Sequence, residues 1–226
     1  MKLILKPGGL VLLAVVLLGL TAIVVSRFQP SGAALAKGSA GSTVASKNST
    51  ATPTGMGREV LVNGGFESEF APYVGVKASD AVDISGNIGA GWKDNSGWAS
   101  LDLRYDKDTQ NPHSGQSSQK MTVSRKRSGH AQLTQLLEVP AGTKLSATVW
   151  IRTNTTTGNQ DIDLWLRDKD DVAKVYGRQI ATATTQWQPF TVSGTVTEKT
   201  PAVFMVLVTS PDITVWIDDA SVKIVP

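Results

Sequence analysis

The rhythm of apolar and polar residues changes twice along the chain. From Gly8 to Val25, 18 residues carry no charge and are mostly Leu, Val, Ala, Gly and Ile. As a helix this run spans about 27 Å at 1.5 Å per residue, close to the roughly 30 Å hydrocarbon core of a bilayer. From Pro30 to Gly57 the pattern disappears, and 22 of 28 residues are Ser, Thr, Gly, Ala or Pro. Such a segment buries too little apolar area to offset the entropy of ordering it. From Arg58 onward a period of two takes over. In Lys144 to Arg152, Leu145, Ala147, Val149 and Ile151 share one face, while Ser146, Thr148, Trp150 and Arg152 share the other. In Asp161 to Asp168, Ile162, Leu164 and Leu166 oppose Asp161, Asp163, Trp165 and Arg167. Further β-rich runs occupy 188–196, 202–208 and 212–225, separated by Gly, Pro, Asn and Asp. Alternation with short spacing predicts an all-β fold, an antiparallel β-sandwich. No amphipathic helix and no fixed-period repeat follows Gly57.

Three segments result: a signal anchor or signal peptide at 1–29, a linker at 30–57 and the sandwich at 58–226. Lys2 and Lys6 precede the apolar run and orient the N-terminus inward. An uncleaved anchor helix fits the length. Cleavage would use small residues such as Ser31 to Ala33 or Ala34 to Ala36, which come late after the run. Either way the body is expected to be exported. It would then be held to the extracytoplasmic face by the N-terminal helix or, after cleavage, secreted. As a flexible coil the linker spans on the order of 29 Å.

Composition narrows the chemistry. The chain has no cysteine, which excludes disulfides, thiolate metal sites and cysteine nucleophiles. The formal charge of +3 is misleading. Residues 1–57 hold five basic side chains and no acidic one, so 58–226 carry 17 basic and 19 acidic groups. The body lacks the positive balance a nucleic-acid partner needs, and the run Arg125 to Arg127 reads as a solvated turn.

All six tryptophans lie between Trp92 and Trp216. Alternation puts Trp150 and Trp165 opposite the apolar face of their strands, among Arg152, Asp163 and Arg167. If 153–160 is a hairpin loop, Trp150 faces Asp163 and Trp165 is its diagonal neighbour. Flat indoles amid hydrogen-bonding groups suit a pyranose, whose C–H face is apolar and whose rim is hydroxylated. The bland alternative is that both indoles cover the sandwich under a loop or pack on the other sheet. Trp92 and Trp98 sit in a Gly- and Asn-rich segment and either wall a cleft or plug the sandwich end. Trp187 reads as core or edge packing, and Trp216 is left on either face.

Four short signatures occur in order: Leu61-Val62-Asn63-Gly64-Gly65-Phe66-Glu67, Pro112-His113-Ser114-Gly115-Gln116-Ser117-Ser118, Thr185-Gln186-Trp187, and Val215-Trp216-Ile217-Asp218-Asp219-Ala220-Ser221-Val222. Together they resemble the carbohydrate-binding modules of families four, nine and twenty-two, within the galactose-binding-domain-like jelly rolls. The resemblance covers about 58–226. It implies a jelly roll that binds a polysaccharide or oligosaccharide without catalysis. It also implies a structural calcium ion, with Glu67 and Asp218 as side-chain ligands and backbone oxygens near Gln116. Asp219 is an equal alternative to Asp218, and capping a turn or forming a bulge is the plain role for these acids. The sugar cleft of such modules is lined by aromatic and polar groups. Trp150, Arg152, Asp163, Trp165 and Arg167 are nominated for it here by alternation, with Gln135 and Tyr176 added from neighbouring strands. No nucleophile–base–orienter set stands out, and the arginines near Asp161 and Asp163 would lower their pKa values rather than raise one. A structural or protein-binding adhesion domain on the same fold is the competing expectation.

Overall fold

The computed structural model describes residues 57–75, 83–156 and 162–226. The segment expected as a leader helix and most of the expected linker lie outside them. Among the described residues no helix is long and apolar enough to cross a membrane.

Among the described residues twelve strands are formed: β1 (Phe70–Val74), β2 (Asp83–Gly89), β3 (Lys93–Asp94), β4 (Ser100–Asp108), β5 (Ser118–Ser128), β6 (Ala131–Leu137), β7 (Lys144–Thr153), β8 (Ile162–Asp168), β9 (Val175–Ala181), β10 (Gln188–Thr195), β11 (Ala202–Val208) and β12 (Ile213–Val225). Seven make one sheet in the order β1-β2-β4-β5-β12-β7-β10. Five make the other in the order β3-β6-β11-β8-β9. The all-β sandwich expected from alternation is what the body adopts, with every pairing antiparallel except β2 with β4.

Alternation decides what is buried. Leu145, Ala147, Val149 and Ile151 of β7 meet Ile162, Leu164 and Leu166 of β8 in the core between the sheets. The central strand β11 is buried on both faces. Ala202, Phe204, Val206 and Val208 enter the main core. Val203, Met205 and Leu207 form a second apolar patch on the outside, against which Trp165 packs.

The hairpin between β7 and β8 does not exist. β7 pairs with β10 and β12, and β8 pairs with β9 and β11, so the chain changes sheets after Thr153. Trp150 lies opposite Pro189 and Asp218 rather than Asp163. Trp165 lies opposite Met205 and Arg178. Strand parity places each indole on the outer face of its own sheet. Those sheets are stacked back to back, so the indoles are not neighbours.

At one flank the sandwich is closed by its own edges. A Cβ added to Gly177 of β9 would lie 2.3 Å from the Ser193 carbonyl oxygen, and one added to Gly194 of β10 would lie 2.4 Å from that of Tyr176. Only glycine lets the edge strands of the two sheets approach so closely.

Candidate functional site

A cleft of about 450 Å³ opens on the outer face of the five-stranded sheet, lined by Asn95, Trp98, His130, Gln132, Trp165, Arg167, Val172, Met205 and Leu207. Its floor comes from period two. Gln132 on β6, Leu207 and Met205 on β11, and Trp165 and Arg167 on β8 all point away from the core. Trp165 stands on the apolar patch of β11, with the Arg178 guanidinium 5.4 Å from its ring. Arg178 also pairs with Asp163 at 2.6 Å, and Asp163 accepts the Trp165 indole N–H at 3.4 Å.

The opposite wall is the loop after β3. The Tyr105 and Tyr73 hydroxyls donate to Asp94 at 2.7 and 3.1 Å, and Ser96 Oγ donates to it at 2.6 Å. Burial and the Asp94 charge push Tyr73 up to about 12 and raise Tyr105 well above its ordinary value, so both remain donors. Asn95 donates its side-chain amide to Gln132 Oε1 at 2.6 Å. Past this anchor Trp98 is 56% exposed and meets the His130 ring edge-on at 4.9 Å. His130 belongs to the turn between β5 and β6, which Gly129 makes with φ 74°. A Cβ on Gly129 would lie 2.6 Å from Ala99 Cβ and 2.8 Å from Trp98 Cζ3. The turn therefore seats Trp98. Burial, followed by the Lys126 charge, lowers the His130 pKa against the pull of Asp163, so the ring is neutral at pH 7.

Arg167 forms one end of the cleft. Its Nη1 donates to the Asp168 carbonyl at 2.7 Å and its Nε faces Met205 Sδ at 2.9 Å. Burial lowers its pKa, opposed by Asp168.

Of the residues nominated from sequence, Trp165 and Arg167 line this cleft, and Asp163 holds Arg178 beside it. Gln135 has the inward parity of β6 and clamps Val62, accepting from its N–H at 2.6 Å and donating to its carbonyl at 2.9 Å. Tyr176 packs on the main core and donates to Asp168 at 3.1 Å. Trp150 and Arg152 lie across the molecule on the seven-stranded sheet. There His113 stacks on Trp150 at 3.7 Å and 18°, and Trp187 meets His113 edge-on at 5.9 Å. The Arg152 guanidinium is 3.9 Å from the Trp216 ring and 5.2 Å from that of Trp187. Trp216 donates to Asp108 at 2.7 Å and Trp187 to the Asn111 carbonyl at 3.2 Å. In this cluster the rings pack on one another and on Arg152, whose Nε is buried without a hydrogen-bond partner among the described residues. Trp92 plugs the sandwich end, stacked on Phe66 at 5.2 Å with its N–H on the Asn63 carbonyl.

Trp98, His130, Asn95, Gln132, Met205 and Leu207 were not nominated from sequence. Alternation along β6 and β11 carries the last three. Nothing local in the sequence places the loop of Trp98 beside them.

The nominated calcium ligands converge on the loop 112–118. Glu67 Oε1 accepts the N–H groups of Gln116 and Ser117 at 2.9 and 3.1 Å. Asp218 Oδ2 accepts those of His113 and Ser114 at 2.8 and 3.3 Å, and its Oδ1 accepts that of Asp219 at 2.8 Å. Asp219 in turn holds His113 Nδ1 at 2.6 Å and Ser114 Oγ at 2.9 Å. Among the described residues no three His, Cys, Asp or Glu side chains gather as a metal site. So arranged, Glu67 Oε1 and both Asp218 oxygens are engaged by N–H donors, whereas calcium takes six to eight oxygens.

No family model matches the chain, and no curated protein matches its sequence. Solved structures match its fold. The CBM22-1 xylan-binding domain of Paenibacillus barcinonensis Xyn10C aligns with a TM-score of 0.52 at 12% identity, covering 76% of this chain and 97% of that one. The tandem CBM22-1–CBM22-2 structure from the same protein aligns with a TM-score of 0.53 at 11% identity, covering 77% and 47%. The Stig cyclase Fisc from Fischerella sp. TAU aligns with a TM-score of 0.52 at 14% identity, covering 75% and 98%. The body thus has the jelly-roll fold of carbohydrate-binding modules, which also serves a cyclase. At these identities the likeness is one of fold.

Proposed function

We propose that this chain binds carbohydrate without cleaving it, through the cleft on the five-stranded sheet. One observation carries the reading: two indoles from separate elements, Trp98 and Trp165, line a single cleft together with Asn95, Gln132, His130 and Arg167. Indole faces match the C–H face of a sugar ring, and the amide, imidazole and guanidinium groups match its hydroxyl rim. The lining contributes no Asp or Glu, whereas glycoside hydrolysis ordinarily uses a pair of carboxylates. The apolar run at 8–25 supports anchorage of the module outside a membrane, with the linker as its tether.

The test is affinity gel electrophoresis or calorimetry on the full chain, solubilised in a detergent without a sugar headgroup, against a panel of polysaccharides. Binding to at least one polymer, lost in Trp98→Ala and Trp165→Ala and kept in Trp150→Ala, supports the proposal. Binding that survives both cleft substitutions overturns it.

A further inference from the structure

One member of the cleft is more than neutral-sugar recognition requires. Arg167 is 8% exposed and charged, yet it sits among Trp165, Val172, Met205 and Leu207. It enters no ion pair among the described residues. The two nearby carboxylates are engaged elsewhere. Asp168 accepts the N–H groups of Asp170 and Asp171 on one oxygen and the hydroxyls of Tyr176 and Thr200 on the other. Asp163 is held by Arg178. The guanidinium is satisfied in part by the carbonyls of Asp168 and Lys169, and its Nη2 enters none of these bonds.

A buried cation without an ion-pair partner is costly, and burial lowers the Arg167 pKa even though the Asp168 charge opposes it. A carboxylate supplied by a ligand would remove that cost, since the planar fork of Arg suits two parallel N–H···O bonds. The indole beside it selects what carries that carboxylate: a ring with an apolar face.

We infer that the ligand is an acidic saccharide, a polymer with uronic acid residues, whose carboxylate pairs with Arg167 while a sugar ring lies on Trp165. The inference rests on the glycan reading above and narrows its substrate class.

The experiment compares uronate polymers (a glucuronoxylan, a polygalacturonate and an alginate) with the same polymers after chemical reduction of each carboxyl to a hydroxymethyl group. The full chain is used in the same detergent at low salt. At least one acidic polymer is expected to bind about tenfold more tightly than its reduced form, with the gap narrowing as salt is added. Arg167→Gln is expected to bind both forms as weakly as wild type binds the reduced one, and Arg167→Lys to keep part of the preference. Equal binding of each pair by wild type overturns this inference and leaves the glycan reading intact. Binding of neither form of any polymer, nor of any neutral polysaccharide, overturns both. Displacement of bound polymer by inorganic phosphate as readily as by free uronic acid overturns the sugar part. If Arg167→Gln does not fold, the wild-type comparison still decides.

Discussion

Trp165 stands on an apolar patch of its own, apart from the main core, with a guanidinium near its ring and its N–H on Asp163. It is braced before any ligand arrives, and a braced aromatic loses little entropy on binding. Trp165→Ala is therefore expected to weaken polysaccharide binding at least about tenfold, roughly 1.4 kcal/mol, in calorimetry. Trp150 is stacked beneath His113 and has another part to play. Trp150→Ala should leave affinity unchanged and lower stability by about 1–3 kcal/mol in a denaturant titration. Gly129 acts on the site without touching a ligand. An alanine there has both a positive φ and a clash with Ala99 and Trp98. Gly129→Ala should cost about 1–3 kcal/mol of stability and reduce affinity by displacing Trp98.

At the level of elements, the last strand and the loop 112–118 share a buried charge. Asp218 on β12 is fully enclosed. Burial pushes its carboxyl up to about 6, although three backbone N–H groups pull the other way. The folded state thus holds a proton that the unfolded chain releases near pH 4. Its stabilising contribution is complete below about pH 4 and is lost as pH rises through about 6, a change of about 2–3 kcal/mol. Asp168 does not confuse the reading. Hydrogen bonds, chiefly from Thr200 and then from Asp171 N–H, hold it down at about 2, so its contribution is present above about pH 4 and fades only as pH falls through about 2. Thermal melts between pH 4.5 and 7 should show the slope, and Asp218→Asn should remove it. With Glu67 and Asp218 already facing N–H groups, a chelator is expected to leave the melting temperature unchanged. A rise on adding calcium would show that these carboxylates turn to a cation.

The strands were largely legible. The runs read at 188–196, 202–208 and 212–225 correspond to β10, β11 and β12 within one residue at each end, because alternation reports local burial. It reports a face relative to the strand's own sheet, however, and says nothing of which sheet that is. Sequential strands are often neighbours, yet the segment after Thr153 is long enough to cross the roughly 10 Å between stacked sheets. Trp165 and Arg167 were found by parity alone. Trp98 was not, since its place depends on Asp94 meeting two tyrosines and on a glycine turn distant in sequence.

For the molecule as a whole, the leader and linker bear on retention. If the apolar run anchors the chain, cell fractionation should recover it with membranes after an alkaline wash, whereas a chain lacking residues 1–29 should be released. If the module is tethered and binds polymer through this cleft as proposed, avidity comes through number, and polymer retention should rise steeply with surface density. That demands crowding, and crowding is dangerous for a protein made of strands. The seam where Gly177 and Gly194 each press on the other strand's carbonyls answers part of that hazard. Where each glycine presses on the other strand's carbonyls a neighbour's strand has little room to pair, so under the proposed function molecules packed side by side would share one polysaccharide without zipping together at that point.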